Sequence, residues 1–319
     1  MMKKPLTWAA YGIRHRLRCN ERLVKKIPMC RSRKSIRSPE ASLLLADKLK
    51  EGRPLLAGRM GLFETAAVRA YVFGRKKNYG LVMENLYNCA GFFPKDSAYL
   101  GKFSDCMTDC IKGTDIYAAN REPMEAYLID EYLPQGAALV GSIKLYDFFD
   151  PLINWTESLE GKKVLVVTSF PESVRQQYAR REEIYKGSRK LPEFELLTYR
   201  PLMTIGDMRD ERFETWFDGL EFMKREILAL DFDTALISCG AYSYPLGLAV
   251  KQDGRQAVCA GGVLQILFGI MGRRWDGSRY GGAEHMDPKL KAWYNDSWIY
   301  PLEDKPADAD RVEYGPYWK

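Results

Sequence analysis

From residue 162 onward, short apolar runs alternate with longer amphipathic stretches. KKVLVVTSF (162–170) predicts a strand. PESVRQQYARREEIY (171–185) predicts a helix with proline in its first turn, where the missing N–H costs nothing. FELLTYR then predicts a strand, RFETWFDGLEFMKREILAL a long amphipathic helix and DTALISC a strand. SYPLGLAVKQD predicts a helix, QAVCAG a strand and VLQILFGIM a helix. Strand and helix alternating through short links imply an α/β fold, a mostly parallel sheet with helices on both faces.

Upstream the pattern is less regular. RSRKSIRSPE (31–40) is the first break, with Pro39 ahead of the helical ASLLLADKLKEG. PLLAGRM (54–60) predicts a short buried strand, followed by a helix over 63–73. Residues 78–112 are mostly helical around the loop CAGFFPKD, and TDIYAAN (114–120) and AALVG (137–141) are strands flanking the helix EPMEAYLIDEYL. The stretch 141–162 is a connector. The chain therefore divides into a basic arm at 1–38, an N-terminal α/β part at 39–150 and a C-terminal α/β part at 151–319. Repeats and low-complexity segments are absent.

Charge sharpens this division. Residues 1–38 hold twelve Lys or Arg against one acid, Glu21, so they carry +11; the whole chain is +6, which leaves −5 on 39–319. Trp8, Tyr11, Ile13, Leu17, Leu23 and Val24 are interleaved with those cations. Such an arm suits the anionic inner face of a membrane, or is simply solvated chain. Nucleic acid is not expected as a partner, because the body is mildly acidic and carries no nucleic-acid motif. No apolar run reaches the length of a membrane span, and the first residues lack the apolar core of a signal peptide. The seven cysteines form no framework, which fits free thiols in a cytoplasmic chain. Cys106 and Cys110, spaced C-x3-C, read as one helix face, since no second Cys/His pair lies near enough to complete a zinc site.

In parallel sheets ligands sit beyond the carboxyl ends of strands. Four predicted strands end in loops there: Arg59, Met60 and Gly61; Ser169, Phe170 and Pro171; Cys239, Gly240 and Ala241; Ala260, Gly261 and Gly262. Small residues at two successive ends, with Tyr242 and Ser243 after the first and Gln265 after the second, let a ligand approach the backbone. Helix N-termini there favour anions such as phosphate. The dinucleotide pattern GxGxxG is absent, so NAD and FAD are not expected. Glu64 follows the first strand and reads either as a carboxylate that stabilises its helix or as a general base or metal ligand. Arg175, Arg180 and Arg181 read either as a diphosphate-facing set or as a solvated helix face. RRWDGSRYGG, from Arg273, reads as a flap or a surface loop, and His285 as a structural or solvent-facing residue. The aromatic tail WYNDSWIYPLEDKPADADRVEYGPYWK packs over the core or closes the cleft. Nucleophile-elbow, HExxH and P-loop patterns are all absent.

GRMGLFET, NCAGFFPKD, KKVLVVTSFPESVRQQ, LPEFEL, the block from FDTALISCG to MGRRWD and the terminal YNDSWIYPLED and VEYGPYW resemble a group of bacterial proteins encoded with polysaccharide-assembly enzymes. The resemblance covers most of the chain from about residue 54. That group is similar in turn to the GT-D class of glycosyltransferases, a single Rossmann-like domain that uses a nucleotide-sugar donor. In that class a strand ends in R-F-G-D-G-E, whose Asp and Glu form a metal-linked DxE motif. Here Arg59, Gly61 and Glu64 match, and Leu62 occupies the Asp position. One carboxylate can still ligate Mn²⁺ or Mg²⁺ through phosphate oxygens and water, or act as a base without metal. The resemblance implies donor binding at Gly240 and its neighbours. It implies transfer of a sugar from a nucleoside diphosphate sugar to a glycan or lipid-linked oligosaccharide, in the cytoplasm or at the inner membrane face. Two alternatives remain open: a non-catalytic sugar-nucleotide-binding or assembly protein, and a transferase of another group onto glycan.

Overall fold

The computed structural model describes residues 33–120, 122, 124–141, 154–278, 282–311, 315 and 317–319. Residues 1–32 of the basic arm, 142–153 of the connector and 279–281 of the Gly-rich loop lie outside the described residues. Seven apolar runs become strands: β1 Leu55–Gly58, β2 Ile116–Ala119, β3 Ala138–Gly141, β4 Lys163–Thr168, β5 Glu195–Tyr199, β6 Thr234–Ser238 and β7 Gln256–Cys259. They form one sheet in the order β3-β2-β1-β7-β6-β4-β5, and every pairing is parallel. The fold is α/β and Rossmann-like. The stretches before and after the connector share this sheet, because β1 pairs with β7.

Eleven helices accompany the strands among the described residues. They are α1 Glu40–Lys50, α2 Leu62–Val72, α3 Tyr79–Asn85, α4 Leu100–Lys112, α5 Glu125–Tyr132, α6 Pro171–Ala179, α7 Arg181–Ile184, α8 Trp216–Leu228, α9 Ser243–Gln252, α10 Val263–Leu267 and α11 Pro288–Lys291. Three of them show a local cause plainly. Pro171 opens α6. Thr215 and Asp218 close a reciprocal capping box on α8. In α4 the buried Leu100, Phe103, Ser104, Met107, Cys110 and Ile111 recur at helical spacing, so Cys110 belongs to an apolar face.

Alternation along the strands separates two cores. Leu56, Tyr117, Leu165, Val167, Ala235, Ile237 and Ala257 face one layer, which contains α2, α4, α5, α8 and α9. Leu55, Ala57, Ile116, Val164, Val166, Leu236 and Val258 face the other, with α1, α6, α10 and the C-terminal segment. The body begins before residue 38. Arg33 donates to the carbonyls of Leu133 (2.6 Å) and Pro134 (2.8 Å), and Ile36 bridges to Val140.

This layering creates a switch point. The chain leaves β1 for α2 on one face, and leaves the adjacent β7 for α10 on the other. The two connections diverge and leave a crevice beyond the carboxyl ends, where ligands of such sheets bind.

Candidate functional site

A cleft of about 840 Å³ opens at that crevice, within the usual size range for small-molecule sites. Its walls come from the ends of β1, β2, β4, β6 and β7, the segment 201–205 after β5, and the chain terminus. Three carboxylates (Glu64, Glu122 and Asp287) and three cations (Arg59, Arg274 and Lys289) line it.

Glu64 sits in the first turn of α2 and is 7% exposed. Its carboxylate folds back over Gly61, and a Cβ at position 61 would collide with it. Gly61 is thus the residue that leaves room for the carboxylate at the helix start, which is also a favourable place for negative charge. Burial pushes the Glu64 carboxyl above its ordinary range. A hydrogen bond to its own backbone N–H and the nearby Arg59 charge pull the other way without cancelling burial.

Arg59 extends from the end of β1. One guanidinium nitrogen donates to Asn120 Oδ1, and Asn120 Nδ2 donates to Met60 O at 2.9 Å. Across the crevice, Arg59 Nη2 lies 3.9 Å from where a Cβ on Gly261 would stand. Gly240 and Gly261 have φ of 58° and 60°, a left-handed conformation that favours glycine. Ser243 closes the first turn by accepting from Cys239 N–H at 2.7 Å. Burial holds the Cys239 thiol up to about 12.

The structure brings Arg59, Gly61, Glu64, Ser169, Gly240, Tyr242, Ser243, Gly261, Gly262 and Gln265 to this one cleft. Some of them have structural work there. Tyr242 is 1% exposed and stacks on Trp216 with centroids 4.8 Å apart. Gln265 donates to Met271 O (3.0 Å) and Tyr317 O (2.8 Å), so it ties the tail down. Gly262 is small because the Tyr317 ring lies on it, 2.7 Å from a Cβ position.

Four expected residues are elsewhere. Ala241 is buried in the core and does not line the cleft. Arg175 donates to Thr198 and pairs with Glu172. Arg180 donates to Ser297 O at 3.1 Å, and Arg181 pairs with Glu193 at 3.2 Å. The reason is directional. α6 runs from the ligand-bearing edge of the sheet towards the opposite edge, and at 1.5 Å per residue position 180 lies about 14 Å along its axis. The α6 N-terminus is also filled: Glu303 accepts from the backbone N–H groups of Glu172 (2.8 Å) and Ser173 (3.1 Å) and from the Ser173 hydroxyl. Arg175, Arg180 and Arg181 therefore do not line the cleft as a diphosphate-facing set.

The tail does reach the cleft. Trp318 packs edge-on against Phe170 at 5.0 Å and donates to Glu303 O, while Arg274 donates to the Tyr317 hydroxyl at 3.1 Å. His285 is about half exposed beside Glu284 and outside the cleft lining. Sequence reasoning missed Asn120, Glu122, Asp287, Lys289 and the stretch 89–91. Asn120 was within reach of the strand-end rule, since it follows β2 directly. Residues 89–91 arrive through a widened turn, Leu86–Ala90, that ends in Gly91 at φ 77°.

A DxE-type metal site does not fit these donors. The Leu62 side chain offers no oxygen, and the Glu64 carboxylate is engaged with the start of α2. Among the described residues no group of three His, Cys, Asp or Glu is placed to hold a metal ion. No helix among them is long and apolar enough to cross a membrane. No protein-family model, curated protein or solved structure matches the chain.

Proposed function

We propose that this protein is a glycosyltransferase that moves a sugar from a nucleoside diphosphate sugar to a glycan acceptor in bacterial cell-surface polysaccharide assembly. It would work in the cytoplasm or at the inner membrane face. The observation that carries the reading is the cleft at the β1/β7 switch point, which pairs a buried carboxylate, Glu64, with a cation, Arg59, and two left-handed glycine turns. In the reaction Glu64 takes the proton of the acceptor hydroxyl. That oxygen attacks the anomeric carbon, and the bond from this carbon to the diphosphate breaks. A carboxyl whose pKa is raised by burial is a stronger base than an exposed one. Arg59 and Arg274, as cleft cations, stabilise the charge gathering on the leaving diphosphate.

One observation favours a second reading, a sugar-nucleotide-binding protein without turnover: Glu64 is folded onto its own helix and Leu62 stands at the acidic position of the motif. A melting screen of nucleotide sugars, with and without Mn²⁺ or Mg²⁺, followed by a donor-hydrolysis assay separates the two. Stabilisation with turnover supports the enzyme, and stabilisation without turnover supports the binder. No stabilisation by any nucleotide sugar defeats both.

A further inference from the structure

We infer that Asn120 is a positioning residue that aims Arg59 at the diphosphate of the bound donor; this rests on the donor reading above. Arginine is a long side chain with several rotatable bonds, so an unsupported one at a strand end would sample many directions. Here it is held. Asn120 Oδ1 accepts from Arg59 Nη1, and Asn120 Nδ2 donates to Met60 O at 2.9 Å. The amide orientation follows from chemistry, since guanidinium only donates and the carbonyl only accepts.

The holder is itself held. Glu125, 1% exposed at the start of α5, accepts from Tyr117 OH (3.1 Å), Asn120 N–H (3.1 Å) and Glu122 N–H (2.9 Å). These bonds fix the backbone beyond β2, which places the Asn120 amide. The Asn120 amide then fixes one arm of the Arg59 fork. The other arm points across the crevice to the Gly261 turn, 3.9 Å from a Cβ position there. A chain of hydrogen bonds thus runs from a buried carboxylate to a cation at the switch point. Asn120 spends its amide on protein groups, so it acts through Arg59 rather than by touching the ligand.

The test is a double-mutant cycle read by calorimetric titration of the full chain with inorganic pyrophosphate. Arg59→Ala is expected to weaken binding about 30-fold, in line with loss of a charge-assisted bond. Asn120→Ala is expected to weaken it about 5- to 10-fold, and the double variant to fall within about twofold of Arg59→Ala alone. Asn120→Ala in an Arg59→Lys background should likewise cost less than about twofold, because lysine has no fork to orient. Melting curves accompany each titration, and Asn120→Ser replaces Asn120→Ala if the latter fails to fold. Equal weakening by Asn120→Ala in the parent and Arg59→Ala backgrounds, or none in either, overturns the positioning role while leaving the donor reading in place. If the parent binds no pyrophosphate, or Arg59→Ala binds it as well as the parent does, the anion does not sit at this crevice and both ideas fall.

Discussion

Glu64→Gln keeps the shape of the side chain and removes its charge. Three influences act on that charge: burial, the start of α2 and the Arg59 guanidinium. A helix-terminal carboxylate contributes about 0.3–1 kcal/mol. Burial opposes it and is larger, since the net effect raises the carboxyl's pKa above its ordinary 4.5. The folded protein therefore holds this proton more tightly than the unfolded chain does. The resulting stability is fully present below pH 4.5 and is lost as the pH rises through the folded-state value. At pH 8, above the ordinary value of 4.5, the Glu64 carboxyl is a net cost to the fold, so Glu64→Gln should melt at or above the parent temperature, with this advantage shrinking towards pH 4.5. Were the helix contribution dominant, its loss would lower melting by about 0.5–1.5 °C in a chain of this size. Turnover should respond on another scale. Removal of a general base lowers rate by about 10²–10⁴, equivalent to about 3–5 kcal/mol in the barrier. Melting by differential scanning fluorimetry at pH 4.5 and 8, with donor hydrolysis and transfer at pH 8, reads both effects. Parent-level turnover would remove Glu64 from the chemistry. A clear drop in melting temperature at pH 8 would refute the dominance of burial.

Three further outcomes follow from the geometry. Gly240→Val should lose donor binding and also lower melting, because φ of 58° costs a side-chain-bearing residue about 1–2 kcal/mol; Gly240→Asn, which tolerates that conformation, should melt closer to the parent. Substituting Arg175, Arg180 and Arg181 together by alanine should leave donor affinity, measured by calorimetry, within about twofold, since all three lie outside the cleft lining. Glu303→Ala removes the carboxylate that satisfies the α6 N-terminus and should cost about 0.5–2 kcal/mol in chemical denaturation, as loss of a cap does; no change would mean that solvent replaces it.

The periodicity of the chain was enough to specify the seven strands and most of the helices, although the single helix expected over 171–185 is α6 and α7, broken at Arg180, and α11 was not expected. Apolar runs such as VLVV and ALIS, joined by amphipathic helices, can only be buried on both faces of a parallel sheet. It also placed Arg59, Glu64, Gly240 and Gly261 at one edge, because every strand of a parallel sheet presents the same end to that edge. Strand order was beyond the pattern. Pairing of β1 with β7, about 200 residues apart in sequence, is decided by packing, and it alone creates the crevice at the switch point. Direction along a helix also escaped the linear reading. Arg180 and Arg181 are near Ser169 in sequence but stand beyond the far end of α6, away from the cleft. Even the meaning of small residues needed the fold. Gly240 and Gly261 are glycines for their backbone angle, Gly61 for the Glu64 carboxylate, and Gly262 for the Tyr317 ring. A sequence shows that a residue is small; what fills the space beside it is a tertiary fact, set by a chain segment that can lie 55 residues away, as Tyr317 does from Gly262.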